Sequence, residues 1–346
     1  MFREHVWVRN RPGAIVGVLL LVMGLLGQSA RAVNIDMVTV GNPGNAADAR
    51  YPDPPGTSGF GAVAYTYRIG KTEVTAGQYA EFLNAVAGVD TYGLYNPAMW
   101  SERYACRISR TGAGTQADPY VYSVAADAAD RPANMVSWGD AARFANWLTN
   151  GQPTGTQDLS TTEDGSYYLN GATSKAALMA VARKPSARYV IPTEDEWYKA
   201  AYYDPAKPGG AGYWDYPTRT NIPPGHDMSE STNPGNNANY GGGPIDPPYY
   251  TTVVGQFRYS HSAYGTFDQG GNVAEFNEAI YYGSDRTIRG GAFHAGYWYL
   301  GAWNRAYYSP TQASGDVGFR VAEVPEPCSL MLLGAASTIA FVIRRK

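Results

Sequence analysis

The sequence predicts one mixed α+β domain in which a small regular frame carries long ordered loops. Gly (40), Pro (23) and Tyr (28) are in excess among the 346 residues, and this favours a loop-rich domain over a helical bundle. No Ser/Gly-rich linker or repeat interrupts the chain between about Ile35 and Glu323, so this range is interpreted as one domain. Long irregular stretches are expected at Gly41–Gly61, Gly88–Arg131, Thr149–Ser174 and Pro205–Tyr250.

Three helices and five short strands make up the predicted frame. Thr75 caps the first helix, in which aromatic and aliphatic residues recur on one face. Ser137 opens the second helix, and a capping box, Thr193 to Glu196, opens the third. Residues of high β propensity predict strands at Val63–Ile69, Tyr189–Ile191, Val253–Phe257, Thr287–Arg289 and Gly318–Val321.

Charge and cysteine content exclude some partners and chemistries. Residues 1–32 hold four Arg and one Glu of the 27 basic and 30 acidic residues, which leaves 23 basic and 29 acidic residues. This balance gives no basis for binding nucleic acid, because phosphate contacts need a basic face. The two cysteines, Cys106 and Cys328, are not expected to pair, because Cys328 lies in a C-terminal apolar segment. Cys106 is therefore expected to be an unpaired, unreactive thiol.

Residues 1–32 have the pattern of a secretory signal peptide. A positively charged region precedes an apolar run from Ala14 to Gly27, and Ala30-Arg31-Ala32 supplies the small-x-small cleavage pattern. An uncleaved membrane anchor is the alternative, although the apolar run is short for a membrane span. We therefore expect an exported domain over residues 33–323.

Residues 324–346 combine Pro325-Glu326-Pro327 with an apolar run and a basic end. The run, Cys328 to Ile343, is marginal for a permanent span, and its orientation obeys the positive-inside rule. The segment resembles the PEP-CTERM sorting signal of exported bacterial proteins. This resemblance implies processing by an exosortase-type enzyme, a short transmembrane helix that anchors the protein only transiently, and a final place at the cell surface or in the extracellular matrix. A simple tail anchor is the alternative.

Six motifs follow one another along residues 63–323. Within the fifth, Gly290 and Gly291 mark a place where the backbone takes positive φ or approaches another segment closely. The order of the motifs resembles the formylglycine-generating enzyme (sulfatase-modifying factor) family, and this implies that family's C-type-lectin-related fold. The motifs are Arg68–Thr75, Arg131–Ala141, Ile191–Trp197, Asp268–Phe276, Arg289–Leu300 and Gly318–Arg320.

The resemblance fails at the residues that perform the family's chemistry. The family has two copper-binding cysteines after Arg-Gly-Gly, and their positions fall on Ala295 and Leu300, which cannot ligate a metal. Two more positions of that former active-site pocket differ, with Ala292 in place of Ser and Ala274 in place of Trp. His294 lies beside the pocket and is interpreted as a rim or core residue. Neither copper nor iron is expected, since the three-His iron motif of related sulfoxide synthases is also missing.

The same resemblance implies a calcium scaffold, which would use the oxygen ligands that calcium prefers. The first site would combine two carboxylates with two main-chain carbonyls, at Asp268, Gly271, Val273 and Glu275. A second site would lie in a Gly/Pro-rich loop, at Asn239, Tyr240, Asp246 and Pro248. The alternative for the first set is that Asp268 and Glu275 cap turns and pair with arginines.

Two classes of function stay open. The first is a non-catalytic, calcium-stabilised module that binds a glycan or a peptide, or that serves as a cell-surface or matrix component. Its binding surface would use aromatic residues of the former active-site segment, namely Tyr297, Trp298, Tyr299, Trp303, Tyr307 and Tyr308. The second is an oxidoreductase of the formylglycine-generating or non-heme-iron type, acting on protein or small-molecule thiols with altered ligands. Metal content would discriminate between them.

Overall fold

The domain is built on two four-stranded sheets joined by long loops. The computed structural model describes residues 32–53 and 58–325. Except for Ala32, Val324 and Pro325, the predicted signal peptide and sorting signal lie outside these residues, Glu326 and Pro327 included. Within the described ranges, none of the helices has the length and apolar character needed to cross a membrane.

The described residues form twelve strands and five helices, with a 3-10 helix at Tyr297–Leu300. The strands are β1 Met37–Val40, β2 Tyr67–Gly70, β3 Ile108–Thr111, β4 Val121–Val124, β5 Tyr189–Val190, β6 Tyr203–Asp204, β7 Gly212–Tyr213, β8 Ala274–Tyr281, β9 Asp285–Arg289, β10 Ala306–Tyr308, β11 Val317–Gly318 and β12 Ala322–Glu323. The helices are α1 Ala76–Val86, α2 Ala98–Ser101, α3 Trp138–Thr149, α4 Lys175–Ala180 and α5 Glu194–Tyr202.

The two large sheets bring distant parts of the chain together. The first has the order β1-β2-β12-β5 with antiparallel pairs, and the second has the order β10-β9-β8-β11. In the second sheet β11 runs parallel to β8, whereas the other pairs are antiparallel. Residues 319–321 connect β11 to β12, so the chain passes there from the second sheet to the first. Two smaller hairpins, β3–β4 and β6–β7, lie outside these sheets.

The three predicted helices are confirmed, together with the way each begins. Capping boxes at Thr75, Ser137 and Thr193 satisfy the free N–H groups at the starts of α1, α3 and α5. Helices α1 and α3 bury their apolar faces in one aromatic core, in which the rings of Phe82 and Phe144 meet edge to face at 5.3 Å. Since caps and apolar faces depend on neighbouring residues, the sequence predicts these helices well.

The predicted strands are confirmed only in part. The strand at Thr287–Arg289 is confirmed as part of β9, that at Tyr189–Ile191 is confirmed except for Ile191, and Val63–Ile69 only from Tyr67 onwards. The strand at Val253–Phe257 is wrong, because the chain turns there with Gly255 at a φ of 73°.

Two further expectations need correction. Gly318–Val321 is not one strand, since β11 and β12 on either side of residues 319–321 belong to different sheets. The stretch Gly88–Arg131 is not wholly irregular, because it contains α2 and the β3–β4 hairpin. The predicted fold class, a mixed α+β domain with few helices and much loop, is confirmed.

Candidate functional site

The segment onto which the resemblance maps the family's active site packs on an apolar floor. Leu300 is fully buried and joins Tyr216 and Ala238 in a small apolar cluster. Ala274 and Ala292 are also buried, at 6% and 3% exposure, and Ala295 is half-buried. At the two positions onto which the resemblance maps the family's cysteines, this chain therefore has an aliphatic side chain inside the protein and a methyl group near its surface.

The Arg-Gly-Gly motif positions this segment through its backbone. Gly290 and Gly291 both have positive φ, at 95° and 67°, as predicted for the motif. A Cβ at Gly290 would lie 2.8 Å from the main-chain oxygen of Gln269, and one at Gly291 would lie 2.9 Å from the Cβ of Tyr299. A side chain at Gly291 would displace the 3-10 helix, and one at Gly290 would displace the main chain at Gln269. Both glycines are therefore required by the local geometry.

Three consecutive rings of the 3-10 helix form an exposed surface, which we call the aromatic platform: Tyr297, Trp298 and Tyr299. Their exposed fractions are 47%, 57% and 49%. The ring of Trp298 packs on that of Trp303 with centroids 4.8 Å apart, and Trp303 meets the ring of Tyr216 edge to face at 5.4 Å. The exposed indole of Trp298 therefore packs on Trp303, which in turn packs on Tyr216.

A cavity of 280 Å³ borders the same segment, and we call it the His294 cavity. Its aromatic part is formed by Tyr104, Tyr250 and Phe293, whose ring centroids lie 4.5 to 5.5 Å apart. The imidazole of His294 is half exposed at the cavity, and its Nε2 lies 3.5 Å from a carboxylate oxygen of Asp316. The cavity thus combines an apolar floor with a polar pair that can donate and accept hydrogen bonds.

Glu275, a predicted calcium ligand, is held in a buried ion pair. Its two carboxylate oxygens accept hydrogen bonds of 2.5 Å from Nη2 and Nε of Arg320. The indole N–H of Trp197 donates to the same carboxylate at 2.7 Å. All three side chains are fully buried. Pairing with an arginine is the arrangement that the sequence offered as the alternative to calcium for Glu275.

Asp268 and Glu73 lie close to this ion pair and lack its compensation. Burial raises the pKa of Asp268 to about 6, although the N–H of Gly255 donates to its Oδ2 at 2.6 Å. Glu73 is 1% exposed, and neither of its carboxylate oxygens has a hydrogen-bond partner. Burial, with the negative charges of Asp268 and Glu275, raises the pKa of Glu73 well above its usual value. Three carboxylates therefore share the charge of one arginine, Arg320.

This imbalance tests whether the first set of residues fits calcium. Glu275 does not have a free oxygen, so an ion would depend on Asp268 and on Glu73, a residue outside the predicted set. The two carboxylates border different cavities, of 10 Å³ at Asp268 and 390 Å³ at Glu73. Within residues 32–53 and 58–325, no group of three His, Cys, Asp or Glu side chains is arranged to hold a metal. The uncompensated negative charge at Glu73 and Asp268 suits a cation, whereas these two side chains are few carboxylate ligands for calcium.

The second predicted calcium set is only partly assembled. Asn239 is buried, and its amide oxygen Oδ1 has no hydrogen-bond partner, while Nδ2 donates to the main-chain oxygen of Tyr250 at 2.8 Å. Asp246 is engaged elsewhere, since its Oδ2 accepts a hydrogen bond of 2.6 Å from Arg131. Tyr240 is half-buried with its ring against His226, and Pro248 is exposed. Asn239 Oδ1 is thus the one side-chain oxygen of this set that is both buried and free.

Cys106 has the environment of an inert thiol. It is buried, it is the free cysteine of the described residues, and its Sγ lies 3.5 Å from the main-chain oxygen of Asn134. Burial raises the pKa of this thiol to about 11, so the thiolate that would react or bind a soft metal does not form at neutral pH. Cys328 lies outside the described residues.

Several solved structures are similar to this chain at low sequence identity. Treponema denticola variable protein 1 is 20% identical to this chain, with a TM-score of 0.51. The match covers 86% of this chain and 98% of that chain. CarF is 19% identical, with a TM-score of 0.47 over 85% and 99% of the two chains. PvdO from Pseudomonas aeruginosa is 21% identical, with a TM-score of 0.44 over 84% and 92%. No curated protein matches the sequence.

A family model covers nearly the whole described chain. The sulfatase-modifying factor enzyme 1-like domain matches residues 36–324. This range includes both four-stranded sheets, the Arg-Gly-Gly motif and the segment with Ala295 and Leu300. The chain therefore belongs to the family of sulfatase-modifying factor enzyme 1-like domains.

Proposed function

We propose that this protein is a non-catalytic binding module, exported from a bacterial cell and held at the cell surface or in the matrix, whose ligand is a glycan. One observation carries the proposal. Leu300, at a position where the family has a copper-binding cysteine, is buried in apolar packing, and the aromatic platform covers the same short helix with three half-exposed rings. The segment that performs oxidation in the family has here the composition of a recognition surface.

The chemistry of the platform favours a sugar ring. A pyranose has an apolar face of C–H groups, and this face packs on flat aromatic side chains. Trp298 offers such a face, and its packing on the ring of Trp303 favours one orientation of the indole. The hydroxyl groups around a sugar need donors and acceptors, which His294 and Asp316 supply at the nearby cavity. Side chains held in place before binding lose little conformational entropy in the complex.

The proposed role of calcium is to stabilise the folded domain, and the ion takes part in no reaction. We propose that Glu73 and Asp268, which border different cavities but repel each other electrostatically, hold the ion together with main-chain carbonyls of the first predicted set, while Glu275 stays paired with Arg320. When bound, the ion would supply positive charge to the buried carboxylate of Glu73 and the half-buried carboxylate of Asp268, which otherwise repel each other. The unpartnered oxygens of Glu73 and the raised pKa of Asp268 support this assignment.

A glycan array and a peptide array, each probed with the purified full-length protein, test the proposed function. We expect concentration-dependent binding to a restricted set of glycans. Binding to peptides alone would assign the surface to a different class of ligand, and binding to neither, with or without calcium, would contradict the proposal. Metal analysis of the same preparation gives a second test, because stoichiometric copper or iron would support the oxidoreductase instead.

A further inference from the structure

A second cavity, separate from the aromatic platform, lies at the start of helix α3. It has a volume of 270 Å³, and we call it the Asp140 cavity. Both Asp140 and Arg143 of the first turns of α3 border it. Met135 and Leu178 provide apolar walls. We propose that this cavity binds a free α-amino acid, with the ammonium group at Asp140 and the carboxylate group at Arg143.

Asp140 provides the carboxylate for the ammonium group. The residue is 9% exposed, and its Oδ2 accepts hydrogen bonds from the main-chain N–H and the hydroxyl of Ser137, at 2.8 and 2.7 Å. The other carboxylate oxygen, Oδ1, accepts no hydrogen bond from the described residues, although the residue borders the cavity. An ionised carboxylate that is largely buried and half satisfied is stabilised by a donor that enters the cavity, most strongly by a cationic one.

Arg143 provides the donor for the carboxylate group. It is 1% exposed, and Nε and Nη2 donate to the carboxylate of Glu163 at 2.6 and 3.0 Å. The remaining nitrogen, Nη1, donates to no group of the described residues. It faces the cavity wall at Gly139, where an added Cβ would lie 3.5 Å from it. Nη1 is therefore a charged donor available to an acceptor inside the cavity.

The two groups fit one ligand that carries both charges. Asp140 and Arg143 are three residues apart on α3 and so lie on adjoining parts of its surface. No ion pair joins them within 4.0 Å in the described part of the chain, because Arg143 is paired with Glu163 instead. A molecule with an ammonium and a carboxylate group on one carbon can bridge the two free atoms. The volume of the cavity leaves room for a small side chain between Met135 and Leu178.

Isothermal titration of the full-length protein with single amino acids tests the inference. We expect at least one amino acid to bind saturably, and its N-acetyl and amide derivatives to bind about tenfold more weakly or worse, since each lacks one charge-assisted contact. Asp140→Asn keeps an oxygen for the N–H of Ser137 but removes the charge, so we expect about a tenfold loss of affinity. Asp118→Asn is the matched control, because this carboxylate is exposed and does not border the cavity, and it should leave binding unchanged.

A second variant keeps the test decisive if Asp140→Asn does not fold. Ala313→Leu fills part of the cavity without altering either charged group, and it should abolish binding. The inference is overturned if no amino acid binds, so that only water occupies the cavity. It is equally overturned if the N-acetyl and amide derivatives bind as well as the parent compound, or if Ala313→Leu binds normally.

Discussion

Arg320 donates two hydrogen bonds of 2.5 Å to the carboxylate of Glu275, at the place where the chain passes from the second sheet to the first. Arg320 also donates to the main-chain oxygens of Gly70, at the end of β2, and Phe267, at 3.0 and 2.9 Å. One buried guanidinium thus ties the connection between β11 and β12 to β8 and to β2. This arrangement assigns the Gly-Phe-Arg motif a structural role that does not depend on catalysis.

Removing this arginine is expected to destabilise the domain severely. Arg320→Leu leaves the charge of Glu275 buried without a cationic partner, and a broken buried pair typically costs about 3–5 kcal/mol in the free energy of unfolding. Arg68→Leu is the control, because its ion pair with Glu323 at 2.7 Å is half exposed and such pairs contribute about 0–1 kcal/mol. Urea unfolding measures both. Similar losses in the two variants would mean that the buried pair has no special weight.

The sequence reveals features that depend on neighbouring residues and misses those that depend on distant ones. Capping boxes and apolar helix faces involve residues within four positions, so α1, α3 and α5 are predicted with their first residues. In contrast, β11 and β12 are separated only by residues 319–321 and yet pair with different sheets. Nothing in a run of β-forming residues indicates that change of partner. The strand predicted at Gly318–Val321 was wrong for this reason.

The candidate site shows the same division. That Ala295 and Leu300 cannot bind copper follows from the identity of the residues alone. The role of Glu73 does not, because a glutamate between a strand and a helix cap is ordinary in sequence. Only the packing of the interior shows that its carboxylate is buried, unpartnered and close to Asp268. The aromatic residues after Gly296 likewise needed the structure, which separates the exposed Trp298 from the half-buried Trp303.

Removal of calcium should lower the melting temperature if Glu73 and Asp268 hold the ion. At a calcium concentration 100 times the dissociation constant, the ion adds about 2.7 kcal/mol to the free energy of unfolding, and a chelator removes this contribution. Glu73→Gln should melt at the same temperature with and without calcium. Glu102→Gln changes an exposed carboxylate and should keep the response of the unaltered protein. Scanning calorimetry decides, and an unchanged curve for the unaltered protein would exclude a stabilising calcium ion.

The free energy of unfolding in calcium-free buffer should rise as the pH falls from 7 to 5. The folded-state pKa of Asp268, about 6, exceeds its unfolded value of 3.8, and that of Glu73 exceeds 4.5. The folded protein then binds more protons than the unfolded chain between these values, so acidification stabilises it. Carboxylates with lowered pKa, such as Asp48 and Glu196, act in the opposite direction only below about their unfolded values of 3.8 and 4.5.

Urea unfolding at pH 7, 6 and 5 measures this trend. Asp140, with a pKa raised to about 6 by burial, contributes with the same sign, so the slope has more than one source. Glu73→Gln should flatten the slope in part, because one of the contributing carboxylates is gone. Saturating calcium should weaken the trend as well, since protons and the ion compete for the same carboxylates. A slope that is identical in Glu73→Gln would remove Glu73 from this account.

Leu300 should contribute to stability as an ordinary core residue. Leu300→Ala is expected to lower the free energy of unfolding by about 2–5 kcal/mol, because it leaves a cavity beside Tyr216 and Ala238. Leu159→Ala is the matched control, since this leucine is 52% exposed and its truncation should change the free energy by less than about 0.5 kcal/mol. A small effect at Leu300 would indicate that this side chain is loosely packed, and would weaken the assignment of the segment to the apolar core.

Glycan affinity should depend on Trp298 more than on any comparable surface tryptophan. Trp298→Ala removes the exposed face of the aromatic platform, and stacking on one aromatic ring is worth about 1 kcal/mol or more, so we expect binding to weaken at least about fivefold. Trp100→Ala removes an indole of similar exposure, 51% against 57%, from helix α2 and should bind normally. Both variants are compared by titration with a glycan that the array identifies. Equal losses would show that the effect reflects general destabilisation, and no loss in Trp298→Ala would move the binding site away from the platform.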